Sequence, residues 1–330
     1  MPPTYRARLA RKFIAQMSSG SAESGEDAAA LDQLPRIRAR MDQDDRHPRP
    51  RGVDYVDTAI GGIPAIVATP VDDASRAAPS RHLLYIHGGG YMLGSPRSHI
   101  AMAARLARLT DATATVIDYR LAPEHVYPAA IDDCVAAYRA WASEVDPSTI
   151  TIAGDSAGGG ATLSTMCALR DADDPLPGAA YLLSPWTDLT GSGESVSARA
   201  HADPMIDGSR IPAAGRVYAG ETPLDHPGVS PLFADLHALP PMLIQTGVDE
   251  VLLSDSTRLA EKARAAGVEV TLDLAEGMWH VYQGFARFVP EATDALHRAA
   301  VFIRSRIPAL DQSDVGSAPF AANSISAPTP

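Results

Sequence analysis

The sequence predicts an α/β protein with a mostly parallel central sheet flanked by helices. Short apolar, β-branched runs alternate with segments of helical period, the arrangement that builds a parallel sheet covered on both faces. One such run, Ile150-Thr151-Ile152-Ala153, stops abruptly at Gly154. Small residues then continue through Ala161, Leu163, Met166 and Leu169 at helical spacing. The chain has 330 residues, enough for one large domain with an insertion, and no internal repeat is visible.

Residues 1–45 read as helical. Leu9, Phe13, Ile14 and Met17 form one face, and Ala30, Leu31, Leu34 and Ile37 a second, limited by Pro35. Such faces are expected to pack on a core or to cover a pocket. The proline-rich, charged stretch from Asp44 to Arg51 reads as a linker. Val53–Thr58 and Ile63–Thr69 suggest strands joined at Gly61-Gly62. Further strands are expected at Leu83–Ile86, around Val116-Ile117, at Ile150, at Ala180–Leu183, at Met242–Gln245 and from Val268. Helices are expected between them and from Ala292 to Ile303. The interruption from Gly191 to Gly228 is too long for a plain connection and carries a helix over Ser209–Tyr218, so it reads as an inserted cap. The organisation is thus cap helices at 1–45, a first core part at 46–190, the cap insertion at 191–228, a second core part at 229–310, and a tail at 311–330. That tail is rich in Ser, Ala and Pro and is expected to be disordered.

Composition excludes several function classes. The net charge of -12 opposes nucleic-acid binding, which needs a basic surface. No apolar run approaches the ~20 residues that cross a bilayer. The basic N-terminus lacks the apolar segment of a secretion signal, so the cytoplasm is the expected location. Cys134 and Cys167 sit among apolar neighbours and read as free buried thiols. No Cys/His spacing suggests a metal, and no cofactor is expected.

Gly154-Asp155-Ser156-Ala157-Gly158 has the G-x-S-x-G pattern between a strand and a helix. A tight turn there would hold Ser156 in a strained conformation with its hydroxyl exposed above the sheet. The alternative is a glycine-rich turn with an incidental serine. Ile86-His87-Gly88-Gly89-Gly90 also follows a strand, and its glycines leave backbone N–H groups open to a ligand oxygen. Acyl transfer needs such donors because the carbonyl oxygen gains negative charge. Gly88, Gly89, Gly90 and Ala157 are the candidate donors, Gly88 being nearest the strand. A phosphate loop is disfavoured, because neither glycine run fits G-x-G-x-x-G or a P-loop. His87 lies upstream of the serine and reads as ordering its own loop.

A serine nucleophile needs a base and an acid that orients it. Of the downstream histidines, His280 follows a strand in a loop, where a base above the sheet belongs. Asp249 follows the preceding strand and is the expected acid, with Asp255 second; Glu250 is expected to point elsewhere.

These motifs, with Asp118-Tyr119-Arg120-Leu121-Ala122-Pro123-Glu124, resemble the hormone-sensitive-lipase-like carboxylesterases of the bacterial family IV type. The resemblance spans Leu83 to His280. It implies an α/β-hydrolase fold with a helical cap, serine-based hydrolysis of a small-molecule ester, and a scaffold role for Arg120 and Glu124. Members often dimerise, so a homodimer is among the expectations. The chain departs from the family in two places. The acid commonly sits in D-P-L, where this chain has Asp249-Glu250-Val251-Leu252. The base commonly precedes Gly-Phe directly, whereas Val281-Tyr282-Gln283 intervene here. A hydrolase-fold binding protein and an amidase or peptidase on the same scaffold are the rival readings; retention of His280 argues against the first. The expected substrate pocket is lined by Tyr91, Met92, Leu93, Asp155, Met205, Ile206, Val281 and Tyr282, and suits acyl chains of about four to eight carbons.

Overall fold

The computed structural model describes residues 2–19, 31–43, 48–71 and 79–308. The expected tail at 311–330, Ala30, residues 44–47 and the Met17 side chain lie outside the described residues.

Eight described strands form one sheet: β1 (Val53–Ile60), β2 (Ile63–Pro70), β3 (Arg81–Ile86), β4 (Ala112–Ile117), β5 (Ile150–Asp155), β6 (Ala179–Leu183), β7 (Met242–Gly247) and β8 (Val270–Ala275). Their spatial order is β1-β2-β4-β3-β5-β6-β7-β8. The hairpin β1–β2 and the β2–β4 pair are antiparallel, and the other pairs are parallel. Parallel strands need crossovers. These are helices α3 (Pro96–Thr110), α4 (Ala129–Ala142), α5 (Ala157–Asp171) and, after β7, α8 (Leu253–Ala265). Helix α9 (Pro290–Arg306) follows β8.

The central strands are buried on both faces, so they read as continuous apolar runs. Successive side chains nevertheless part between two cores. Leu84, Ile86, Ile152, Leu182 and Ile244 face one core with α4, α5 and α8. Leu83, Tyr85, Ala153, Tyr181 and Leu243 face the other with α3 and α9.

Two helices precede the sheet, α1 (Tyr5–Ser19) and α2 (Leu34–Asp42). Helix α1 buries Ala7 and Ile14 against Met278, Trp279 and Tyr282, the residues around His280. Leu9 and Phe13, expected on the packed face, are each 56% exposed. Ile14 of the expected face is buried, and Ala7 joins it against Met278, Trp279 and Tyr282. Between β6 and β7 the chain leaves the sheet and forms α6 (Glu194–Ala198) and α7 (Ile211–Ala219). No described helix is long and apolar enough to cross a membrane.

Candidate active site

The elbow follows β5 as a strand–turn–helix. Ser156 has φ 53° and ψ -121°, a strained backbone for a residue with a side chain. A Cβ at Gly154 would run into the Gly158 carbonyl, and one at Gly158 into the Ile86 carbonyl, so both positions require glycine. The turn is held by Ser156 N–H donating to Leu183 O at 2.9 Å and Trp186 N–H donating to Ser156 O at 2.9 Å. Ser156 stays partly exposed between buried Asp155 and Ala157. Ala157 opens α5, so its N–H has no partner one turn back in the helix.

The glycine loop expected to hold an oxyanion leaves β3 beside this turn. Gly89 and Gly90 have φ of 120° and 64° and are partly exposed. Gly88 differs from its expected role: its N–H donates to Asp155 Oδ1 at 3.1 Å and is therefore occupied. Asp155 is likewise not a pocket residue. It lies buried behind the loop, where Oδ1 also accepts from Tyr85 Oη at 2.7 Å and Oδ2 lies 3.6 Å from His99 Nε2. Burial alone would raise its pKa, but the nearby His99, Tyr85 and His87 hold it below the ordinary carboxylate value. His87 stacks on Tyr119 at 4.3 Å, with Nδ1 2.8 Å from Gly88 O. Burial, with His99 nearby, pushes its pKa down to about 3, so it stays neutral and orders the loop.

The candidate base and the carboxylate beside it follow β8 and β7. His280 is buried, and its Nδ1 lies 3.6 Å from Glu250 Oε1. The carboxylate beside His280 is therefore that of Glu250, one residue past the expected Asp249. Asp249 instead turns outward and pairs with Arg11 of α1. Glu250 is fully buried, and its other oxygen is fixed: Oε2 accepts from Ser184 Oγ at 2.8 Å and from Gly247 N–H at 3.0 Å. Ser184 in turn accepts from Val281 N–H at 3.1 Å, joining the end of β6 to the base loop. Burial alone would lower the His280 pKa, but Glu250, Asp203 and Asp155 together raise it above its ordinary value. Asp203 comes from the insertion. Its Oδ2 accepts from Val251 N–H at 3.0 Å, one residue past Glu250, and burial raises its own pKa. Asp255, the second choice of acid, is engaged elsewhere: it accepts from Thr187 N–H and Asp188 N–H at 2.7 and 2.8 Å, and burial pushes it up to about 7.

Two expected pocket residues belong to cores. Tyr91 is buried and stacks on Tyr218 at 3.7 Å. Tyr282 is buried with Ala7, Ile14 and Val289. Met92, Leu93, Ile206 and Val281 are partly buried, and Met205 is 40% exposed. Two charged residues of the 118–124 stretch, Arg120 and Glu124, lie in ion pairs on the scaffold. Arg120 meets Asp133 at 2.7 Å, and Glu124 meets Arg38 of α2 at 2.8 Å. Among the described residues no group of three or more His, Cys, Asp or Glu could share a metal ion.

Sequence reasoning passed over Glu250, Ser184, Asp203 and Arg11. A signal existed for one of them. Glu250-Val251-Leu252 has the spacing of D-P-L with the acid at Glu250, so the motif register favours it over Asp249.

Residues 83–284 match the family model described as the alpha/beta hydrolase fold. An acetyl-hydrolase of Streptomyces hygroscopicus is 40% identical over 226 residues, covering 68% of this chain and 76% of that one. A hormone-sensitive lipase from a metagenome library superimposes with a TM-score of 0.85 at 38% identity, over 93% of this chain and all of that one. EstE5, whose crystals were soaked in p-nitrophenyl butyrate, superimposes at 0.84 and 35% identity, with the same coverage.

Proposed function

The chain belongs to the α/β-hydrolase family, as a carboxylic ester hydrolase of the hormone-sensitive-lipase-like type, and we propose that Ser156, His280 and Glu250 are its nucleophile, base and acid. The observation that carries this assignment is the division of labour within the Glu250 carboxylate. One oxygen is held by Ser184 and Gly247, and the other faces His280 Nδ1. A carboxylate held there fixes the imidazole tautomer, leaving Nε2 unprotonated and free to accept a proton.

In the first step His280 takes the Ser156 proton as Oγ attacks the ester carbonyl. The negative charge that forms on the carbonyl oxygen is stabilised by the N–H groups of Gly89, Gly90 and Ala157. Collapse of the tetrahedral species breaks the carbon–oxygen bond to the alcohol, which leaves with the proton from His280. Water, activated by the same imidazole, then attacks the acyl-enzyme and regenerates Ser156.

The substrates this site suits are short-to-medium acyl esters. Met92, Leu93, Met205, Ile206 and Val281 offer apolar, adaptable contact for a chain of about four to eight carbons, each buried methylene contributing at most about 0.8 kcal/mol. The test is a series of p-nitrophenyl esters from acetate to palmitate. Wild type is expected to give a stoichiometric burst of nitrophenol and a maximum at short-to-medium length. Ser156→Ala is expected to abolish the burst while circular dichroism is unchanged. A burst that survives Ser156→Ala would refute the nucleophile assignment, and a maximum at palmitate would refute the chain-length assignment.

A further inference from the structure

Arg11 joins three segments that the catalytic assignment does not itself connect to α1. Its Nη1 pairs with the Asp249 carboxylate and lies 3.5 Å from Gly277 O, while Nη2 donates to Ala202 O. Asp249 immediately precedes Glu250, Gly277 lies three residues before His280, and Ala202 immediately precedes Asp203. One planar guanidinium, with donors in a fixed fork, therefore spans the acid loop, the base loop and the insertion. A lysine has a single ammonium and does not reproduce that fork. The three segments also bond to one another at the same place: Asp249 N–H donates to Met278 O at 3.0 Å, and Val251 N–H to Asp203 Oδ2 at 3.0 Å.

We propose that Arg11 is a positioning residue, through which the N-terminal helix sets the relative placement of Glu250, His280 and Asp203. The proposal rests on the reading of His280 and Glu250 as base and acid. It assigns Asp249 a role as the anchor of Arg11.

The attachment of α1 does not depend on Arg11 alone. Thr4 N–H and Thr4 Oγ1 donate to the two oxygens of Glu291 on α9 at 2.6 and 3.0 Å, and Ala7 and Ile14 are buried against Met278, Trp279 and Tyr282. Removal of the guanidinium therefore leaves the helix docked while freeing the loops, so positioning and folding are separable by experiment. The 0.5 Å scale on which catalytic groups must be held makes a small relaxation costly in turnover.

The experiment compares wild type, Arg11→Ala, Arg11→Lys, Asp249→Asn and Ser156→Ala. Each is assayed for kcat and KM on p-nitrophenyl butyrate, with active enzyme counted by its nitrophenol burst, and for Tm. Arg11→Ala is expected to lower kcat per active site about 10- to 30-fold with KM within about twofold of wild type, less than the roughly 100-fold that a full ~1 Å misplacement can cost. Arg11→Lys is expected to recover part of that loss. Asp249→Asn keeps an acceptor for Arg11, so a two- to threefold loss is expected. The proposal is overturned if Arg11→Ala leaves kcat per active site unchanged, whether or not Tm falls, or if only KM rises. It is also overturned if Arg11→Lys is no better than Arg11→Ala. Ser156→Ala keeps the two readings apart: turnover at the wild-type rate in that variant would refute the catalytic assignment, whatever the Arg11 series gives.

Discussion

Glu250 Oε1 lies 3.6 Å from His280 Nδ1, while the adjacent Asp249 carboxylate points away to Arg11. Consecutive residues past a strand end project in different directions, so one step along the chain exchanges a buried partner of the base for a partly exposed ion pair. Glu250→Gln is therefore expected to lower kcat about 1,000- to 10,000-fold, as loss of the orienting carboxylate does in serine hydrolases, with Tm little changed. Asp249→Asn, which keeps an acceptor for Arg11, should lower kcat only about two- to threefold and change stability by no more than about 1 kcal/mol. Steady-state kinetics and Tm on both variants check this, and a greater loss of kcat from Asp249→Asn than from Glu250→Gln would restore Asp249 as the acid.

Ser184 holds Glu250 Oε2 and the Val281 N–H at once, and it does so with φ 44°. A hydrogen bond to a charged group contributes about 1.5–3 kcal/mol, which corresponds to about 10- to 150-fold in rate if the bond serves alignment. Ser184→Ala is expected to lower kcat by that factor with KM nearly constant. A fall in Tm with kcat per active site preserved would instead make Ser184 a packing residue.

The sheet was legible because its strands are continuous apolar runs and its crossovers have helical period. The elbow and the oxyanion loop were legible for a related reason: strained or crowded backbone demands glycine, and glycine is visible in sequence. The Gly154 and Gly158 contacts and the left-handed Gly89 and Gly90 are those demands met. The choice between Asp249 and Glu250 was legible only in the motif register, because the chemistry of two adjacent carboxylates does not reveal the direction each side chain takes. Asp155 and Tyr282 were misplaced for the same reason. Adjacency to Ser156 and His280 suggested the pocket, whereas their side chains point to Tyr85 and to α1. Arg11 and Ser184 act across separations of 238 and 66 residues, a relation that no local pattern carries.

The pH dependence of turnover follows from the charges around His280. Glu250, Asp203 and Asp155 outweigh the effect of burial and hold its pKa above 6.5 in the folded protein. In the proposed mechanism only the neutral imidazole accepts the Ser156 proton, so the acid limb of kcat/KM is expected to have its midpoint above pH 6.5. Asp203→Asn removes one of the charges that favour the cation, so that midpoint should move to lower pH. Profiles from pH 5 to 9 on p-nitrophenyl butyrate provide the check, and a midpoint that stays fixed or rises in Asp203→Asn would show that Asp203 does not act on the base.

The last expectation concerns the buried pair behind the oxyanion loop. His99 Nε2 lies 3.6 Å from Asp155 Oδ2, and Asp155 also accepts the Gly88 N–H, so the pair is continuous with the loop that offers Gly89 and Gly90. Burial alone would lower the His99 pKa, but Asp155 outweighs it and raises the value in the folded state. A histidine whose folded pKa exceeds its unfolded one contributes stability that is complete below the unfolded value of about 6.5 and is lost as pH rises through the folded value. Asp155 is shifted the other way, so its contribution is present above the unfolded value of about 3.9 and is lost as pH falls through its folded value. The two overlap between about pH 4 and 6.5. The Tm difference between wild type and His99→Gln should therefore be larger at pH 6 than at pH 9, by about 1–2 °C if the charged pair contributes about 1 kcal/mol. Scanning calorimetry at the two pH values measures it. An equal difference at both would mean that His99 stabilises the loop as a neutral hydrogen-bonding side chain and that its charge plays no part.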